Sequence, residues 1–345
     1  MGRTLTSILF LLAFSVPCLI GETLPVMRIS VENSTTHVQT LAVERFVRLL
    51  RTELEGQLDI RFYPAARLFR DKDVIQALFL GRVEMAVPGT WQFDTLVPEA
   101  ALFLLPGFYG RPRELTYRVM DSPLGKRINR AVEEGLHVVI PGRWIDLGHA
   151  HLFSLSRPIH SYRDIDRMKI RVAGGQANML RLEALGGIPR VISWPDLNAY
   201  LETGGIDAIL TSYETVRSAA LWEKGVRYVY EDSEYFAQYV PMISPEFWEE
   251  LSPEIRRIIC DCWESGVEQA RREAAAAQIA SRELLEARGV EIRIPSPEEL
   301  HSARELLMEQ QNAMAEILHI PDELLAELEA ILAVPEDLSG RRNDN

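Results

Sequence analysis

Cysteine is scarce in this 345-residue chain: there are three, one of them among the first 21 residues. The other two, Cys260 and Cys262, lie two apart in a helical pattern. Such positions point to different sides of a helix, so a bond between them would need distortion. Two free thiols are expected, and two cysteines alone make no metal site. A basic excess is also missing. The formal net charge is −13, whereas a nucleic-acid binder shows a basic face. An acidic protein can still hold an anion, because the charge inside the site decides that. Beyond the N-terminus no apolar run is long enough to cross a bilayer. The chain has no G-x-S-x-G elbow, no H-E-x-x-H and no P-loop. No nucleophile with an adjacent base can be assembled, so neither catalytic residues nor a cofactor is expected.

What is present begins with an export pattern. Arg3 precedes a mostly apolar stretch, Leu5 to Val16, and small or turn-prone residues follow before Glu22. This is the layout of a secretory signal, with cleavage expected after Gly21 and residues 1–21 removed. Cys18 raises a lipoprotein alternative, against which Pro17 argues.

The remainder is long enough for two domains of ordinary size. Strands are expected at 26–32, 58–63 and 83–87, with helices at 36–54 and 71–80 between them. That alternation implies a mostly parallel sheet covered by helices. A second α/β unit starts near His137, with strands at 137–140, 150–155, 169–172 and 206–210 and a helix at 176–185. Segments 227–230 and 235–243 are further strand candidates. From Ser252 to about Arg288 the chain reads as one long helix, followed by a strand at 290–294 and more helix to about 333. The tail RRNDN is expected to fray. Two α/β units suggest two lobes with a cleft. Ligands of open α/β sheets bind beyond the carboxyl ends of strands, which points to the loops at 32–36, 89–91, 171–175 and 211–213.

A set of ordered landmarks runs through these same loops: FYPAARLFRDKDVIQAL (62–78), GRVEMA (81–86), LPGFYG (105–110), SRPIHSYRDIDRMKIRV (156–172), SWPDLNAYLETGGIDA (193–208) and FWEELSPEIRRII (247–259). Together they resemble the solute-binding subunits of tripartite ATP-independent periplasmic (TRAP) transporters, the DctP-like group, over about residues 27–300. The resemblance implies an α/β, two-lobed periplasmic-binding fold, type II-like, with hinge strands and a long helix spanning both lobes. On that basis 22–148 plus 237–275 form lobe I, 149–236 plus 276–320 form lobe II, and 321–345 are a C-terminal helix and tail. It further implies a monomeric, non-enzymatic periplasmic protein that closes on a small carboxylate. Delivery would be to TRAP membrane permease subunits driven by an ion gradient, usually sodium. An importer of the ABC type, a receptor-docking sensor and a secreted enzyme are the alternatives.

Arg171 matches the family arginine that pairs with the ligand carboxylate, and its planar fork suits that task by donating to both oxygens. His151 falls where some members carry a second arginine and offers a pH-dependent charge or a neutral donor. With His149, two places back on one strand face, a metal pair is conceivable, although no third ligand is evident. Thr211 stands where many members have asparagine, with Ser212 and Tyr213 beside it. Glu32 stands where sialic-acid-binding members have asparagine, and Gly89, followed by Thr90, where those members have glutamate. These departures argue against sialic acid. Trp91, Trp194 and Phe236 occupy positions that face the cleft in the family, and Gln238 and Tyr239 sit on a hinge strand within reach of it. Asp71 is either a helix cap or a ligand contact, and the cap is favoured.

Overall fold

The computed structural model describes residues 24–334; the expected export segment with Cys18, and the RRNDN tail, lie outside the described residues. The described residues form ten strands: β1 (Val26–Ser30), β2 (Asp59–Tyr63), β3 (Met85–Ala86), β4 (Ile145–Ser154), β5 (Lys169–Val172), β6 (Ile188–Val191), β7 (Ala208–Thr211), β8 (Tyr228–Tyr239), β9 (Met242–Ile243) and β10 (Glu291–Arg293). They form two sheets, ordered β2-β1-β3-β9 and β10-β8-β4-β7-β5-β6. In the first, β1 runs parallel to β2 and β3, as the alternation of strands and helices predicts, and β9 closes the edge antiparallel.

The helix Val38–Glu53 crosses between β1 and β2 because its apolar residues recur on one stripe: Val43, Phe46, Val47 and Leu50 are buried. Its N-terminus is capped by His37, whose Nδ1 accepts the Gln39 N–H at 3.2 Å. The expected long helix spans Pro253–Ala287, 35 residues, or about 52 Å of rod. Ser252 caps it by accepting the Ile255 N–H, and proline sits at the first turn, where its missing N–H is harmless. The rod packs on the helix Val38–Glu53, on β4 and on the short helix Tyr213–Ser218. Cys260 and Cys262 are free within it.

Within the second sheet β4 and β8 form a long antiparallel ribbon, running from the Ile145–Tyr239 pair to the Ser154–Tyr228 pair with two register shifts, and Tyr239 at its end bridges to Gly89 after β3. One shift lies beside Gly148, which has φ +128°; a Cβ there would sit 2.8 Å from the Gln278 side chain of the rod.

Several expectations need correction. Residues 137–140 are not a strand; His137 ends the helix Pro123–Leu136 in a left-handed conformation, and Val139 makes only a single bridge to Ile243. The segments 227–230 and 235–243 belong mainly to one strand, β8, and Pro241, having no N–H, separates it from β9. The third strand shrinks to two residues. Strand β6 and the helices Arg113–Met120 and Pro123–Leu136 were not anticipated.

Candidate functional site

Strand ends from both sheets meet at a small cavity of about 40 Å³. Glu32 and Asn33 enter it after β1, Asp71 after β2 and Trp91 after β3; Arg171 comes from β5, Trp194 follows β6, and Thr211 and Ser212 end β7. The ribbon supplies Ala150 from β4 and Tyr235, Ala237 and Tyr239 from β8. The rule that ligands bind beyond strand carboxyl ends points to this cavity.

Arg171 is 2% exposed. Its Nε donates to the Ile192 carbonyl at 2.9 Å, and its guanidinium carbon lies 5.7 Å from the centre of the Trp194 ring. Among the described residues no carboxylate pairs with it within 4.0 Å. Burial pulls its pKa down to about 10, against the opposing pull of Glu32, Tyr235 and Tyr239. It stays charged at neutral pH, buried and without a counter-ion.

Two acids line the same cavity. Glu32 Oε1 accepts the Asp71 N–H at 3.1 Å. Burial raises the pKa of both; Asp71 is lifted well above the usual carboxylate range, with the charge of Glu32 adding to burial. Asp71 makes no cap hydrogen bond, since Arg70 holds the cap position, and the Gly89 backbone N–H supports the Asp71 carboxyl instead. The favoured cap reading is therefore not what the structure shows.

Aromatic rings wall the rest. Trp91 packs edge-on against Tyr239, ring centres 5.4 Å apart, and against Tyr235 at 6.5 Å. Asn33 fixes Tyr239 by donating to its hydroxyl at 2.9 Å. Gly89 does not line the cavity but makes it possible: a Cβ there would fall 2.3 Å from the Trp91 ring. Gly89→Ala should push that ring out of place and weaken binding of any ligand about tenfold or more, with the fold retained; calorimetric titration beside a circular dichroism spectrum checks both. Thr90 is buried at the start of the adjoining turn and also does not reach the cavity.

The structure places the other expected residues elsewhere, for a reason of period. Side chains alternate along a strand. Ala150 faces the Arg171 cavity, so His149 and His151 turn away; Tyr235, Ala237 and Tyr239 face it, so Phe236 and Gln238 turn away. His149, His151, Tyr213 and Phe236 line a second cavity of about 240 Å³ between the ribbon and the rod. There Gln238 donates to Asp146 at 2.9 Å and Tyr213 to Glu231 at 2.6 Å. Burial pushes the pKa of His149 down to about 4 and holds that of His151 well below its usual value, so both rings are neutral. His149 Nε2 donates to the Arg111 carbonyl, and His151 Nδ1 accepts the Ser233 N–H. Among the described residues no group of three or more His, Cys, Asp or Glu side chains is arranged to hold a metal.

Polar contacts join elements of the two sheets around the cavity. Arg70 pairs with Asp196 at 2.9 Å, and His37 Nε2 with Glu214 at 2.9 Å. Asp94 Oδ2 accepts the Ala177 N–H, also at 2.9 Å. Burial lifts the Asp94 carboxyl to about 6, opposed by backbone N–H groups. Its folded-state pKa then lies above the ordinary value of about 4, so the folded chain binds more protons between those limits. The stability this group lends is present below about pH 4 and is lost as pH rises through 6. Asp94→Asn should flatten that part of the profile in thermal melts from pH 4 to pH 7.

His37, Glu214 and Thr215 resemble a reacting triad, but the geometry denies it. His37 Nε2 faces both Glu214 and the Thr215 hydroxyl, the latter at 3.3 Å, while Nδ1 already accepts the Gln39 N–H. The proton therefore sits on Nε2, and the ring has no free nitrogen to act as a base toward Thr215.

A cavity lined by one guanidinium that has no carboxylate partner among the described residues, with aromatic walls, suits the capture of a small solute. The chain belongs to the DctP family, bacterial extracellular solute-binding proteins of family 7, whose model matches residues 29–316. It is 25% identical over 261 residues to a solute-binding protein of Chromohalobacter salexigens, covering 70% of this chain and 74% of that one. To the 2,3-diketo-L-gulonate-binding periplasmic protein YiaO of Escherichia coli it is 24% identical over 296 residues, covering 84% and 87%. Its fold matches that of a TRAP periplasmic solute-binding protein of Ralstonia eutropha crystallised with (S)-2-acetolactate: TM-score 0.81, 21% identity, 89% of this chain and 98% of the other. The two-lobed α/β architecture expected from the sequence is thereby shown.

Proposed function

We propose that this chain is the solute-binding subunit of a TRAP transporter. In this reading residues 1–21 export it, it works in the periplasm as a monomer without catalysing a reaction, and it passes a small organic acid to membrane permease subunits. Lobe I would comprise 22–148 plus 237–275, and lobe II 149–236 plus 276–320. The observation that carries the reading is Arg171: a guanidinium 2% exposed with no carboxylate partner within 4.0 Å. A buried charge without a partner is costly, and a ligand carboxylate supplies the partner when the lobes close over it. The relative from Escherichia coli and the structure from Ralstonia eutropha are both associated with organic acids, which supports the same ligand class. Trp194 beside the guanidinium and Trp91 in the same cavity wall would exclude water and strengthen the pair.

Thermal melting of purified residues 22–345 against small organic acids and neutral sugars tests this. A ligand that binds only the folded chain raises the melting temperature. The expected result is stabilisation by acids that disappears in Arg171→Ala. Stabilisation by neutral sugars alone would overturn the carboxylate assignment.

A further inference from the structure

The Arg171 cavity carries charge of both signs, and their placement restricts what enters. We infer that Glu32 and Asp71 make this site selective for monocarboxylates bearing a hydrogen-bond donor, a hydroxyl or an ammonium, away from the carboxylate, and that they exclude dicarboxylates. The inference rests on the reading that Arg171 takes the ligand carboxylate.

Arg171 is the one basic side chain lining the cavity, while Glu32 and Asp71 both line it. Glu32 acts electrostatically on Arg171, yet no N···O contact within 4.0 Å joins them, and the guanidinium and both acids line one cavity. Nothing on the acid side can balance a second ligand carboxylate. The nearby cation Arg70 is already paired with Asp196 at 2.9 Å. Of the acids' own hydrogen-bonding capacity, Glu32 uses one oxygen on the Asp71 N–H and Asp71 accepts from the Gly89 backbone. The remaining carboxyl oxygens are acceptors for a donor from the ligand. Burial raises the pKa of both acids, with the charge of Glu32 adding to it at Asp71, and each keeps a carboxyl oxygen that accepts from a hydroxyl or an ammonium. The cavity, about 40 Å³, is the space of a few water molecules at about 10–15 Å³ each, which suits a short acid.

Matched acids of three to five carbons test this, each length carrying a terminal hydroxyl, ammonium, carboxylate or methyl group. Titration calorimetry should find the hydroxy or amino acids at least tenfold tighter than the dicarboxylate and the methyl-ended acid of equal length. Whichever of the two leads identifies the donor. Glu32→Gln with Asp71→Asn retains the acceptors for the Asp71 N–H and the Gly89 backbone, and it should improve dicarboxylate affinity at least tenfold relative to the wild type. If acids bind through Arg171, as Arg171→Ala reports, but the dicarboxylate ranks first or the double variant leaves the ranking unchanged, the selectivity inference falls and the carboxylate reading stands. If the corresponding diols bind as well as the acids, or no member of the series binds, both fall.

Discussion

Arg171→Met should lose the ligand and melt at the same temperature as the wild type or higher. Binding should weaken by about 100-fold or more, because removing one partner of a buried, hydrogen-bonded charge pair costs about 2–5 kcal/mol. Without ligand the sign reverses. The wild-type guanidinium is buried with one backbone hydrogen bond and no counter-ion, and exchanging an uncompensated charge for an apolar side chain of similar length removes a desolvation penalty. Arg171→Lys keeps a charge but loses the fork, so it should bind with an affinity between the two. Calorimetry for affinity and ligand-free melting for stability check the pair of signs. A ligand-free melting temperature several degrees below the wild type would show that Arg171 supports the fold rather than the ligand.

Arg181→Met should do the opposite. Arg181 is also fully buried, but its partners are internal: Nε meets Glu234 Oε2 at 2.5 Å, one terminal nitrogen donates to the Leu104 carbonyl and the other to Asn178 Oδ1. Its guanidinium lies 5.3 Å from the centre of the Tyr235 ring. Removing it strands Glu234 beside Asp232, both fully buried; burial first, and then the charge of Glu234, already raise the Asp232 pKa well above its usual range. The expected loss is about 3–5 kcal/mol of folding stability, the range for breaking a buried pair, read by denaturant titration. Arg181→Met with Glu234→Gln should recover part of it. The two arginines thus separate by experiment into one that serves the ligand and one that serves the fold, and the basis is only whether a carboxylate of the chain stands within reach.

Much of this was legible in the sequence, for identifiable reasons. The rod reads correctly because residues 253–287 contain no interior proline and a stripe of small and apolar residues, and because Ser252 and Pro253 mark its start. Arg171, Glu32, Trp91, Trp194 and Thr211, named by the strand-end rule together with the family landmarks, line one cavity. On β8 the expected Tyr239 lines the cavity, whereas Phe236 and Gln238 do not. Phe236 and Gln238 stand one place out of phase with Tyr235, Ala237 and Tyr239, and period two is visible only when the partner strand is known. The run Glu231–Glu234 looks like a turn, so β8 reads as two strands; in the fold Ser233, with φ +50°, absorbs the irregularity, and Asp232 and Glu234 are buried against Tyr109 and Arg181 respectively. Strand β6 escaped because its four residues include a proline and are half-buried or exposed, so no alternation announces it. Asn33, which holds Tyr239, lies next to Glu32 and carries no local signal, since its partner is 206 positions away.

The β4–β8 ribbon has one further consequence, for how such a protein diversifies. Ala150 and Ala237 present methyl groups to the ligand cavity, while their immediate neighbours on the same strands engage Asp146, Arg111 and Ser233 on the other side. Enlarging either alanine changes the shape of the ligand space without touching the polar network behind it. Ligand preference and scaffold integrity therefore occupy alternate letters of the same two segments, and the first can drift while the second is held.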